Sequence, residues 1–397
     1  MISRALVAVG IAVLMVLSSV GTYMYLGSRQ SNVGAAPQEP TSATPGSGAF
    51  NLPGTMFMTQ NGAIYSLSGG RFHQLTRAGN NGTGWMQLSL YPGNNLLAVN
   101  RQVLYSDVYI LNRFGTVVRK ITSNNVAPRN PDPAARHWSF YPRLSTNNKT
   151  LFMSYDKPKF GFDVPMSIWS MPLGGSITRG KLWSISIDYT GGDIQPLPLK
   201  GGALIYTKYS YGPSCSGLES QIWITNQPEQ AYGGARVCYP PAGVSHGRAL
   251  TSPSEGCAQP TLSPDGKTMA MICTHKTQVS YLELASWNGS RLGARRIIVG
   301  NQLVAQPTWA PDGTGLAYLA PAQLGAGFQL WWLPKAAYTP PTPSPVPPSP
   351  TPTPGVPASS PSPSPSPSPS VPPVVIKPVQ MTTNLGFDAT SPIVWIA

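Results

Sequence analysis

Residues 259–271, "QPTLSPDGKTMAM", and residues 306–318, "QPTWAPDGTGLAY", repeat one another almost position for position. Each copy holds a Pro, a Pro-Asp-Gly turn and an apolar run. Weaker copies lie upstream. "YPRLSTNNKTLFM" aligns with Pro142 in place of Pro260 and Asn147-Asn148 at the turn, where Asn tolerates positive φ. "QPLPLKGGALIY" around Pro196 turns on Gly201-Gly202, and "WMQLSLYPGNNLLAV" around Trp85 turns on Gly93-Asn94. A sixth copy is expected at the C-terminus, where "GFDATSPIVWIA" offers Pro392 and Trp395.

In every copy a short strand runs into an Asp-Gly, Asn-Asn or Gly-Gly turn and then into a second apolar strand, which is a hairpin signal. Third strands follow in "AIYSLSG", "DVYILNR", "PMSIWSMP", "SQIWITN", "VSYLELA" and "FQLWWLP". Fourth strands are read in "RFHQLTR", "VVRKITS", "KLWSISI", "ARVCYPP", "ARRIIVG" and "VVIKPVQMTTN". Four antiparallel strands recurring every roughly 45 to 65 residues, with no long helical pattern between them, predict an all-β, six-bladed β-propeller. A β-sandwich gives no reason for the repetition. The first blade, starting at "TMFMTQ", lacks an innermost strand, and the C-terminal "DATSPIVWI" is expected to supply it and close the ring, leaving fewer exposed edges.

The two strong copies at Pro260 and Pro307 resemble the repeat of the TolB-type (WD40-like) six-bladed propellers. The resemblance spans roughly residues 54 to 397. It implies a propeller whose turn Asp is structural, used either as an extracytoplasmic interaction module or as the non-catalytic part of a larger hydrolase; a fold by itself names no reaction.

Composition and the termini place the propeller. Arg4 precedes an uncharged run from Ala5 to Leu26, long enough at about 1.5 Å per residue to cross about 30 Å of hydrocarbon. The expected organisation is a cytoplasmic tip at 1–4, a transmembrane helix at 5–26, a Ser/Pro/Gly-rich linker at 27–53 and the propeller at 54–397. A cleaved signal peptide ending near Ala35 is the competing reading; the length of the apolar run favours the anchor. The propeller is thus expected outside the cytoplasm, on a single-pass membrane protein. A Pro-rich insertion at 339–373 interrupts the last blade, and is read as a spacer or as a docking segment for a partner. The chain carries 27 Lys and Arg against 14 Asp and Glu, a net charge of +13. These charges are scattered, and no recognition helix, zinc finger or aromatic RNA-binding strand accompanies them, so nucleic acid is not an expected partner.

Four Cys are present, at 215, 238, 257 and 273. Alternating strand direction puts Cys257 opposite Cys273 and brings Cys215 and Cys238 to the same end of the ring. Two disulfides, 215 with 238 and 257 with 273, are therefore expected, in keeping with an oxidising compartment. No C-x-x-C pair supports zinc, the four His show no ligand spacing, and no cofactor fingerprint occurs. "GVSHG" at 243–247 satisfies G-x-S-x-G formally, but no helix follows to build the strained turn that exposes such a Ser.

The function expected is non-catalytic binding of a protein or a cell-envelope ligand, with a propeller-fold glycosidase, lyase or hydrolase-associated domain as the alternative. Ligand contacts are expected where the chain runs into the innermost strands: Trp85, Arg136, His137, Trp138, Tyr189, Asp193 and Asp388. Aromatic groups with a few polar neighbours suit recognition, although a Trp beside a blade strand also suits packing between blades.

Overall fold

The computed structural model describes residues 52–397 apart from 81, 127–128, 130–131, 133–134, 158, 160–164, 212–214, 216, 231–244 and 340–376. The expected anchor at 5–26, almost all of the linker, Cys238 and nearly all of the Pro-rich insertion lie outside the described residues. Among the described residues no helix is long and apolar enough to cross a membrane.

Six four-stranded antiparallel sheets form the blades. The first contains β1 (Thr55–Gln60), β2 (Ala63–Ser68) and β3 (Arg71–Gln74); the second contains β4 (Gly84–Tyr91), β5 (Asn95–Arg101), β6 (Ser106–Leu111) and β7 (Val117–Lys120). The third is β8 (Ser139–Leu144), β9 (Thr150–Tyr155), β10 (Ser167–Pro172) and β11 (Lys181–Leu182). The fourth is β12 (Ile194–Pro198), β13 (Leu204–Tyr211), β14 (Leu218–Thr225) and β15 (Arg248–Ala249). The fifth is β16 (Cys257–Leu262), β17 (Thr268–Cys273), β18 (Ser280–Trp287) and β19 (Leu292–Gln302). The sixth is β20 (Ala305–Trp309), β21 (Gly315–Pro321), β22 (Phe328–Pro334) and β23 (Val379–Gln380), and β24 (Val394–Ile396) returns to β1.

Ring closure is therefore as the sequence predicts. Thr55, Met56 and Phe57 pair with Ile396, Trp395 and Val394. Trp395 packs edge-on against Trp332 of the sixth blade, with centroids 5.5 Å apart, and its Nε1 donates to the Pro53 carbonyl at 2.7 Å. Val394 and Phe57 join Leu88 and Leu96 in a buried cluster spanning the first and second blades. Each such side chain contributes about 1.5–3 kcal/mol when fully removed from water.

The hairpin turns behave as read. Gly266 and Gly313 adopt φ 68° and 71°, and Asn94 and Asn148 take the same left-handed conformation in the weaker copies. The turn Asp residues are structural. Asp265 accepts from Ser263 Oγ and Lys267 N, and Asp312 from Thr314 N and Oγ1; these bonds hold both carboxyls below the usual carboxylate value.

The expected outer strand of the fourth blade, "ARVCYPP" at 235–241, lies outside the described residues. Among the described residues the outer strand is Arg248–Ala249, which pairs with Ile224 and Trp223. Short outer strands owe their place to the partner's free edge rather than to their own pattern.

A second repeat emerges just after these outer strands. A Ser or Thr hydroxyl accepts from a backbone N–H in the third strand of five blades: Thr76 from Ile64, Thr122 from Val108, Ser184 from Ile168, Thr251 from Ile222 and Thr382 from Leu330. In each case the residue before the hydroxyl donates its own N–H to the same third-strand residue. The side chain thus continues the ladder where a short strand ends, leaving no buried N–H unpaired. The fifth blade has the long β19, which reaches Leu282 with its own backbone.

Candidate functional site

The innermost strands share a bulge. Their registers against the second strands skip between Met86 and Ser89, Phe140 and Arg143, Ile194 and Leu197, Ala258 and Thr261, and Ala305 and Thr308. At each skip one residue turns left-handed: Gln87, Tyr141, Gln195, Gln259 and Gln306 have φ between 50° and 57°. Positive φ is unusual for such residues and marks a bulge that re-aims the strand. Four of the five are Gln, and their amides stitch neighbouring blades together. Gln87 N donates to Ser391 Oγ at 2.7 Å and Tyr141 N to Gln87 Oε1 at 3.0 Å. Gln306 N donates to Gln259 Oε1 at 2.6 Å, and Gln306 Nε2 reaches the Ala389 carbonyl at 2.8 Å. Gln195 joins the fifth blade through Thr207, whose Oγ1 donates to Gln195 Oε1 and accepts from Gln259 N.

Below this belt the six innermost strands enclose a cavity of about 230 Å³. Pro142, Pro196, Pro260, Pro307 and Pro392 line it at one level, with Leu88 in the sixth place. Leu90, Leu262, Trp309 and Trp395 carry the wall toward the lower end, where the first-to-second-strand turns lie. Among the described residues no Asp, Glu, His, Cys, Lys or Ser lines it, and its one charge is Arg143. The belt and Arg143 were legible only in part. The Gln-Pro pairs stand in the quoted repeats, and Arg143 is a charge where the other copies carry Ser, Leu, Thr or Ile, but the strand pattern alone does not aim either at the channel.

The seven residues expected to contact ligand lie at the other, upper end. His137 Nδ1 pairs with Asp156 Oδ1 at 2.9 Å and its ring lies against Tyr155; Lys159 Nζ takes the second Asp156 oxygen at 3.0 Å and donates to the Arg136 carbonyl. Trp138 stacks on Phe140 at 5.7 Å, with the Arg101 guanidinium 5.8 Å from the Trp ring. Trp85 packs edge-on to Tyr109 beside the cluster between the first two blades. Tyr189 is 72% exposed in a left-handed turn, and its carbonyl accepts from Tyr211 Oη. Asp193 is fully buried against Lys208, 3.3 Å away, and burial raises its pKa despite that cation. Asp388 accepts from Thr390 N and Oγ1, and burial likewise raises its pKa.

Ser245 of the G-x-S-x-G stretch is engaged elsewhere. Its Oγ donates to Glu229 Oε1 at 2.7 Å, and the backbone N–H groups of His246 and Gly247 donate to the same buried carboxylate. Here the hydroxyl and two amides hold an anion of the chain itself.

Cys257 and Cys273 are register partners and form a disulfide, as expected. Cys215 is disulfide-bonded too, while its expected partner Cys238 lies outside the described residues. Cys273, His275 and Glu283 come within 4.8 Å of one another. The sulfur is already bonded to Cys257, His275 Nε2 pairs with Glu283, and Arg295 bridges Glu283 to Glu255. A metal would have to displace all three arrangements.

No protein-family model and no curated protein matches the chain. Among solved structures it is similar to TolB from Acinetobacter baumannii, with 16% identity over 72% of this chain and 62% of that one and a TM-score of 0.47. It is also similar to a TolB-designated protein from Agrobacterium tumefaciens, with 12% identity, 85% and 91% of the two chains and a TM-score of 0.49. A gluconolactonase from Xanthomonas campestris follows, with 12% identity, 70% and 82% coverage and a TM-score of 0.41. All three TM-scores lie below 0.5, and the six-bladed β-propeller rests on the chain's own sheet topology.

Proposed function

We propose that this chain is a membrane-anchored, extracytoplasmic propeller that binds a protein or cell-envelope ligand at its upper end without transforming it. The observation that carries the reading is the division of labour there. The acids Asp156, Asp193 and Asp388 are taken up by ion pairs or a turn, whereas Tyr189 stands in solvent and Trp138 and Phe140 form a half-buried stack beneath Arg101. Aromatic faces beside a cation bind at low entropic cost, and carboxylates already committed to structure are poorly placed for proton transfer. The anchor at 5–26 would hold this surface at the membrane, and the Pro-rich insertion would serve as a separate docking arm.

The test is capture from detergent-solubilised membranes by the wild-type ectodomain and by a His137→Ala, Tyr189→Ala double variant. Loss of the wild-type partner by a variant that still melts cooperatively supports the reading. Retention by the folded variant removes the upper end from consideration. A membrane fraction that keeps the full chain through a high-salt wash supports the anchor, and a soluble product beginning near Ala36 overturns it. One observation favours catalysis instead: Asp156 orients the His137 ring as it would a general base. Turnover of a polysaccharide substrate that His137→Ala abolishes would establish that alternative.

A further inference from the structure

Arg143 has no role in the upper-end surface. Among the described residues it is the one charged side chain lining the channel cavity, it is half-buried, and no ion pair or hydrogen bond engages its guanidinium. Elsewhere in the ring Lys208 is matched by Asp193, Lys159 by Asp156 and Arg295 by Glu255 and Glu283, while the half-buried Arg101 and Lys157 lie over the Trp138 and Trp169 rings. A cation in apolar surroundings loses hydration without compensation unless an anion joins it. Burial accordingly pulls the Arg143 pKa below its ordinary value.

The walls narrow the choice of anion. Five prolines at one level offer no N–H, and of the neutral Gln amides above them the Gln306 Nε2 is already bonded to the Ala389 carbonyl. The strong donor available is the guanidinium fork. We propose that the channel binds one carboxylate carried on an apolar body, gripped at two points by Arg143. A single cation matches a charge of minus one, whereas a phosphate group, at about −1.5 to −2, would bring more charge than the one guanidinium neutralises. The volume of about 230 Å³ falls below the roughly 300–1,000 Å³ of drug-sized pockets, so a short aliphatic acid or the end of an extended peptide fits and a folded partner does not. This site opens toward the lower end and stands independently of the upper-end reading.

The experiment is calorimetric titration of the full chain in detergent with hexanoate, with the tripeptide Leu-Pro-Leu as free acid and as its C-terminal amide, and with inorganic phosphate. Saturable binding of at least one acid is expected, with no binding of the amide and none of phosphate at the same concentration. Arg143→Leu should weaken the acid at least tenfold with an unchanged or raised melting temperature, because an unmatched charge has been removed. Arg143→Lys, which keeps charge but not the fork, should fall between. Tighter hexanoate assigns a small-molecule source, and tighter tripeptide assigns a peptide terminus. Failure of both acids to bind, equal binding of the amide or phosphate, or full affinity in a folded Arg143→Leu variant would each overturn the site. Should Arg143→Leu not fold, Arg143→Gln makes the same comparison.

Discussion

Asp193 and Lys208 sit 0% and 1% exposed, so each is the other's main compensation for lost water. Lys208 Nζ also donates to the Ile185 carbonyl at 2.6 Å and lies over the Trp223 ring. Breaking such a pair from one side leaves a buried charge alone and costs about 3–5 kcal/mol, while replacing both partners by apolar residues is often close to neutral. Lys208→Met should therefore lower stability by about that amount in denaturant titration, and Asp193→Leu with Lys208→Met should recover most of it; a single variant with the wild-type midpoint would contradict the pairing. Asp388 makes a pH prediction. Burial raises its folded-state pKa above 3.8, offset in part by the Thr390 bonds and Arg101. Its contribution to stability is thus full below 3.8 and is lost as pH rises through the folded value. Asp388→Asn can still accept from Thr390 but carries no charge, so its melting temperature should gain on wild type as pH rises from 3 to 7. A constant difference would show that Asp388 does not titrate as described.

Elements in this ring are completed by side chains at their ends. Thr122 is 6% exposed, accepts from Val108 N at 2.9 Å and donates to the buried Asp107 at 3.0 Å. Thr122→Val keeps the shape and removes both bonds, leaving a buried N–H unpaired, which costs about 1–3 kcal/mol. Thr122→Ser keeps the hydroxyl and should lose much less; equal losses in thermal unfolding would mean that packing, not the bond, matters. The first three strands of every blade were legible because alternation and turn chemistry fix a hairpin locally. The outer strand of the fourth blade was not. Arg248 and Ala249 are both exposed and carry no periodic signal, so only the open edge of β14 identifies them as a strand.

At the scale of the whole molecule, closure joins Thr55 near one end to Ile396 at the other. Truncation after Gly386 should abolish the cooperative melting transition, since it removes β24, exposes Met56 and Phe57, and leaves Gln87 without Ser391 and Gln306 without Ala389. A normal transition in the truncated chain would refute closure. The six blades, the order of their first three strands, the structural turn Asp residues and the Cys257–Cys273 pair were all readable in the sequence by itself, because a hairpin is specified by residues close together in the chain. The channel was decided only by the tertiary structure. Gln87 meets Ser391 across a separation of 304 residues, and Arg143 becomes the lone charge of a cavity, among the described residues, only when six strands from six blades face one axis. Local pattern sets which torsions a residue adopts and which face it takes; which groups are matched and which is left without a counter-charge depends on neighbours that only ring closure brings together.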